Sequence, residues 1–171
     1  MYRLILYGLI VISATAIIFS FLGIISIDTA SLIKSLIILL IVTFISNFAL
    51  SKIFKASINA ESFAITAFIL FLILYPADLF SDFVTIATAG FVAMLSKYVL
   101  TVNKKHIFNP TAFALVIVGI TGNNLASWWV GSLELLPVIV VIGFLILRKI
   151  HRFSLFLSFA GTSLALISLF G

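Results

Sequence analysis

Residues 32–51 read LIKSLIILLIVTFISNFALS, twenty residues with a single cation near the start and no acid. Such a stretch spans the roughly 30 Å hydrocarbon core of a bilayer as a helix, because each backbone N–H and C=O then finds its partner within the segment. Comparable apolar stretches lie outward from it at 3–26, 60–76, 83–101, 109–121, 133–148 and 153–170. The pattern predicts an all-α, polytopic membrane protein of about seven transmembrane helices, a single transmembrane domain over 1–171. The fifth stretch is short for a bilayer. It is either a half-length helix buried among others or a span extended by the residues before Asn109.

Composition supports this reading. With 64% hydrophobic and 9% charged residues and a mean hydropathy of +1.39, the chain could not cover a soluble domain with polar groups. The absence of cysteine excludes disulfides and thiolate ligands. Two histidines in different loops argue against a haem or metal centre. The net charge of +5 is dispersed in short loops, which reports membrane orientation and not nucleic acid. On the span map Arg3, Lys52, Lys55, Lys97, Lys104, Lys105, Arg148, Lys149 and Arg152 share one side, and only Lys34 lies on the other with Asp28, Asp78, Asp82 and Glu134. Positive residues mark the cytoplasmic face, so the amino terminus is expected in the cytoplasm of a cell (inner) membrane. The first span reads as an uncleaved anchor, since its only small-residue pattern, Ser13 to Ala16, is followed by further apolar residues. The chain stops at Gly171 directly after an apolar span, which suits one domain of a longer product or a subunit of a complex.

The most polar interval is Asn103-Lys104-Lys105-His106-Ile107-Phe108-Asn109-Pro110. Asn109 can cap a helix whose first residue is Pro110, leaving the positive end of that helix beside two lysines and a histidine. Two readings stand: a capped helix start with basic residues facing the cytoplasm, or a site for an anion bound by unpaired helix amides and attracted by Lys104 and Lys105. Glu61 and Lys97 each lie 18 residues from Leu79, the middle of the turn between the third and fourth spans. An antiparallel hairpin brings them to one depth, as a structural ion pair or as two charges snorkelling separately. Trp128 and Trp129 read as an interfacial aromatic belt or a stacking platform for a flavin or quinone ring. Asn47 reads as an interhelical hydrogen-bonding residue. The small-residue stripes Ser13, Ala16, Ser20, Gly23 and Ser158, Thr162, Ala165 read as close helix packing.

Asn59-Ala60-Glu61-Ser62-Phe63-Ala64-Ile65-Thr66, then Leu74-Tyr75-Pro76, then Lys105-His106-Ile107-Phe108-Asn109-Pro110-Thr111-Ala112-Phe113 resemble in order and spacing the amino-terminal half of the RnfD/NqrB membrane subunits of Rnf and NADH:quinone oxidoreductase complexes. Residues 31–150 carry the resemblance. It implies one half of an inverted-repeat, urea-transporter-like fold and a membrane subunit of a flavin-dependent electron-transport oxidoreductase, coupled to ion translocation in that family. It also implies a non-covalent flavin (FMN or riboflavin) or quinone, and as partners a cytoplasmic flavin/NAD reductase or other Rnf/NQR-like subunits, besides lipid and a second copy of the chain. The cofactor residues would be Lys104, Lys105, His106, Asn109, Pro110, Trp128 and Trp129. Two departures matter. The chain is too short for both halves, and the nearest text to the family's covalent flavin site, Ala160-Gly161-Thr162-Ser163, sits inside an apolar span, so covalent flavin is not expected. A Trp-Trp-Val-Gly segment like 128–131 also occurs in shortened relatives joined to a reductase domain.

No nucleophile–base pair, phosphate-binding glycine loop or acidic metal cluster is present in the sequence, so at most the chain is an electron-transfer subunit dependent on a cofactor or partner. The competing classes are a small-solute or ion channel and a redox-inactive anchor for a cytoplasmic reductase.

Overall fold

The computed structural model describes residues 2–56, 60–102, 105–120 and 126–170, without the side chains of Tyr2, Ala60, Val102, Lys105, His106 and Phe170. Among these residues there are seven α-helices: α1 Tyr2–Phe21, α2 Thr29–Ile53, α3 Ala60–Ile73, α4 Phe80–Val99, α5 Pro110–Ile120, α6 Leu136–Ile150 and α7 Phe153–Phe170. A two-residue antiparallel ladder pairs Thr101–Val102 with Lys105–His106, and a short 3-10 turn covers Trp129–Gly131. The helices fall on the expected spans. Three of them, α1, α2 and α4, are long and apolar enough to cross a membrane. Exposed Val11, Ile18, Ile37, Ile41, Phe44 and Phe91 on their outer faces form a surface stable only against hydrocarbon.

Local signals set the helix ends. Gly23, at φ +71, closes α1 after Phe21; its amide donates to Ser20 O and that of Ile24 to Phe19 O, so the first helix stops short of the expected residue 26. Asp28 caps α2 by accepting the Ser31 amide at 2.8 Å. That bond, followed by the Ser31 hydroxyl and Lys34, holds the Asp28 carboxyl below the usual carboxylate range. The Ser31 hydroxyl also lies 2.6 Å from Asp78 Oδ1, which ties the start of α2 to the α3–α4 connection. Asp82 reaches back to the Leu79 amide at 3.1 Å and starts α4. Pro76 ends α3 at Ile73: it has no N–H for the carbonyl of Leu72 and keeps Tyr75 out of the helical region.

The α2–α4 pair forms the centre. Small residues Ala89, Gly90 and Ala93 let α4 approach, so that a Cβ on Gly90 would meet Thr43, Val42 and Leu39 at 3.4–3.5 Å. Asn47, buried in α2, accepts the Tyr98 hydroxyl on Oδ1 at 2.8 Å and thereby performs the expected interhelical role. Helix α3 packs on α2 and α1, and α5 lies against α4. At about 21 Å and 16 Å, α3 and α5 are both too short to span a bilayer alone. The second half of the chain is held more loosely: α6 leans on α1, where a Cβ on Gly8 would come within 2.8 Å of Ile142, and α7 meets only α6 among the stronger helix pairings. Ser13 and Ala16 of the first small-residue stripe are buried, as expected. The stripe on α7 is not: Ser158, Thr162 and Ala165 are exposed, and the two hydroxyls donate to carbonyls of their own helix, Ser154 O and Ser158 O.

Candidate functional site

Beyond α3 the chain is extended, and this stretch is buried: Leu74, Pro76 and Ala77 are inside the protein. Non-helical backbone at that depth must find partners within the protein. Ala77 N–H donates to Ser35 Oγ at 2.8 Å, and Leu74 pairs with Ala126. The returning segment supplies the rest. The amides of Ser127 and Trp128 both donate to Ile73 O at 3.0 Å, and the indole of Trp129 donates to Phe71 O at 2.9 Å while standing edge-on to the Phe71 ring. Trp129 is thus a buried cap on the end of α3. Trp128 is 66% exposed with a left-handed backbone, φ 48. Both tryptophans sit at the end of α3 opposite the helix start at Pro110.

At the other end of α3 and α4 the basic residues gather. Glu61 accepts Arg3 Nε at 2.9 Å, which joins α3 to α1. Lys97, in the last turn of α4, donates instead to Ser62 O at 2.8 Å, Ser62 Oγ at 2.9 Å and Thr66 Oγ1 at 2.7 Å. The shared depth of Glu61 and Lys97 holds, but the ion pair does not form. Arg3, from the first turn of α1, takes the carboxylate, and the next residue along, Ser62, takes the lysine. Among the described residues Arg3–Glu61 is the only ion pair, so the Lys97 ammonium is solvated by hydroxyls and a carbonyl and has no carboxylate to neutralise it.

That ammonium lines a cavity of about 410 Å³. Ser62, Thr66, Asn109 and Thr111 supply its polar wall, and Ile65, Ile69, Ile107 and Phe108 its apolar one, with Pro110 at the rim. The start of α5 is built as its sequence demands. Asn109 Oδ1 accepts the amides of Thr111 at 3.0 Å and Ala112 at 3.4 Å, its carbonyl accepts Phe113 N–H at 2.9 Å, and Pro110 has no amide to satisfy. This corrects one expectation: no first-turn amide is left over for an anion, because Asn109 consumes them. The helix dipole still points its positive end at the cavity. Of the remaining expected residues, Lys104 lies outside the described residues, and Lys105 and His106 are placed by their backbone alone, in the ladder just before the cavity wall.

Searches against family models, curated proteins and solved structures return no match for the chain. Among the described residues there is no group of three or more His, Asp or Glu side chains able to hold a metal ion. The sequence singles out the Asn109–Pro110 helix start and Lys97 as separate features; the fold brings them to one space. The sequence does not mark Ser62, Thr66 and Thr111 as wall residues. The signal was there in part: the turn-centred count that puts Glu61 level with Lys97 puts Ser62 there too, and Thr66 follows one helical turn later on the same face.

Proposed function

We propose that the chain is the membrane subunit of a flavin-dependent electron-transfer oxidoreductase of the Rnf/NQR type, and that the cavity between α3, α4 and α5 seats the ring of a non-covalently held flavin or a quinone. The observation that carries the proposal is the Lys97 ammonium, uncompensated by any carboxylate at its position in the last turn of α4, lining a cavity large enough for a small molecule. An ionisable group kept in a membrane domain without a counter-ion is costly, and a functional partner is the default explanation.

The residues fit a ring. The volume falls in the range of about 300–1,000 Å³ typical of ligand sites, Ile65, Ile69, Ile107 and Phe108 offer apolar surface, and one cation matches one electron-rich carbonyl edge. They do not fit a phosphate, which calls for several converging donors, since Asn109 already uses the α5 amides. A bound flavin or quinone would supply the one- or two-electron chemistry. Lys97 would favour the more negative, reduced form by its charge. The segregation of basic residues supports a cytoplasmic setting for this end of the bundle, where a reductase partner would dock.

The test is anaerobic titration of the detergent-purified chain with riboflavin and with a short-chain quinone, followed by absorbance. The parent should bind one of them saturably, and Lys97→Gln should bind its reduced, more negative form more weakly; a Lys97→Gln indifferent to the reduced form refutes the assignment. A second reading, a pathway for a small solute or ion, is favoured by the two half-length helices and the buried extended segment after α3, features which in transporters line binding sites. Solute flux into liposomes with no flavin or quinone binding would select it.

A further inference from the structure

An ammonium has three N–H bonds, and α3 takes all three of those on Lys97, through Ser62 O, Ser62 Oγ and Thr66 Oγ1. Nothing on the ammonium remains to meet a ligand oxygen, although the group lines the cavity. The acceptors are themselves interlinked: the Thr66 hydroxyl donates its own proton to Ser62 O at 3.0 Å. Losing Lys97 therefore leaves the Thr66 hydroxyl with a partner, so release creates no orphaned group there. Thr66 is 5% exposed, and its hydroxyl sits one turn deeper than Ser62, on the wall that runs on to Ile69.

We propose that Ser62 and Thr66 form a latch that withholds Lys97 from the cavity, and that a ligand bearing an anionic oxygen opens it by taking one N–H in exchange for a neutral hydroxyl. The inference rests on reading the cavity as a ligand site and adds its regulation. A charged acceptor binds an ammonium more strongly than a neutral one, so the exchange is favourable for an anion and unfavourable for an uncharged molecule of the same shape. The latch thus selects by charge. It also acts on the helices: Lys97 ties α4 to the first two turns of α3, while Glu61 ties that same stretch to α1 through Arg3. Opening the latch removes one of the three bonds that tie α4 to α3, while α3 keeps its packing on α1 and α2.

Ordinarily, removing a hydroxyl from a polar wall weakens binding; here it should strengthen it. The full-length chain in detergent is titrated anaerobically with oxidised riboflavin and with dithionite-reduced riboflavin, whose ring is the more anionic. Thr66→Val keeps the shape and frees one N–H, and should tighten binding of the reduced form by about two- to tenfold, the worth of a neutral hydrogen bond, with a smaller effect on the oxidised form. Ser62→Ala frees a different N–H and must move affinity in the same direction. Lys97→Gln should erase the preference for the reduced form. A general loss of structure would weaken binding, so tightening is specific to the latch. Weaker or unchanged binding in both Thr66→Val and Ser62→Ala, in a background where Lys97→Gln still matters, overturns the latch and makes the hydroxyls direct ligand contacts. A parent chain that binds neither form overturns the flavin reading and the latch with it.

Discussion

Trp129→Phe should be the most informative single substitution for the fold. The indole N–H is the partner of Phe71 O at 2.9 Å, a carbonyl from the last turn of α3 in a buried setting where no water replaces it. Phenylalanine keeps an aromatic ring to meet Phe71, so the substitution isolates the hydrogen bond. An orphaned buried acceptor costs about 1–3 kcal/mol, which for a chain of this size lowers the melting midpoint by about 2–12 °C. Trp129→Ala also removes the ring and its edge-on contact with Phe71, 5.5 Å between centroids, and should cost about 3–5 kcal/mol. Its neighbour behaves oppositely. Trp128 is exposed and holds a positive φ that glycine adopts freely, so Trp128→Gly should be neutral or stabilising by about 1 kcal/mol. Thermal melts of the four proteins in one detergent, read by the fraction surviving size exclusion, give the order. If Trp129→Phe melts with the parent, or Trp128→Gly falls as far as Trp129→Ala, the account of how α3 ends is wrong.

Asn109→Ala should lose about 1 kcal/mol by uncapping α5, and Asn109→Asp should keep it; the same melts decide. Gly8→Leu should push α6 off α1, because even a Cβ there comes within 2.8 Å of Ile142, and protease accessibility of the α6–α7 half should rise while that of α1–α5 stays unchanged. Asp28 contributes a pH dependence of known sign: its folded value is depressed by the Ser31 amide first and the Ser31 hydroxyl next, so the stabilisation is complete above the unfolded carboxylate value of about 3.9 and is lost as pH falls through the lower folded value. Melting midpoints measured from neutral pH downward should show that acid limb, and Asp28→Asn should flatten it.

Periodicity and end signals made most of the architecture legible. Asn109 and Pro110 announced the start of α5, Pro76 the end of the third span, and the symmetric distances from Leu79 placed Glu61 and Lys97 at one level. Which partner each charge takes was not legible, because that depends on where α1 lies beside α3, and α1 is 58 residues away. The role of Trp129 was hidden for the same reason: an indole in a loop says nothing of the carbonyl it will find. The exposed stripe on α7 shows the limit of residue type, since serine and threonine in an apolar helix satisfy themselves on their own backbone as readily as they pack against a neighbour.

The tryptophan cap sets an order of events during synthesis. The carbonyl of Phe71 waits for a donor made 58 residues later, and the extended stretch behind α3 can exchange no backbone bonds with lipid meanwhile. The nascent chain must therefore keep the end of α3 in a wet or protein-lined place until residues 126–131 have emerged. Maturation of the half carrying Lys97 is then gated by translation of the half that follows. Truncation before Trp129 should yield a product recognised by membrane quality control, even though every helix up to α5 has by then been made.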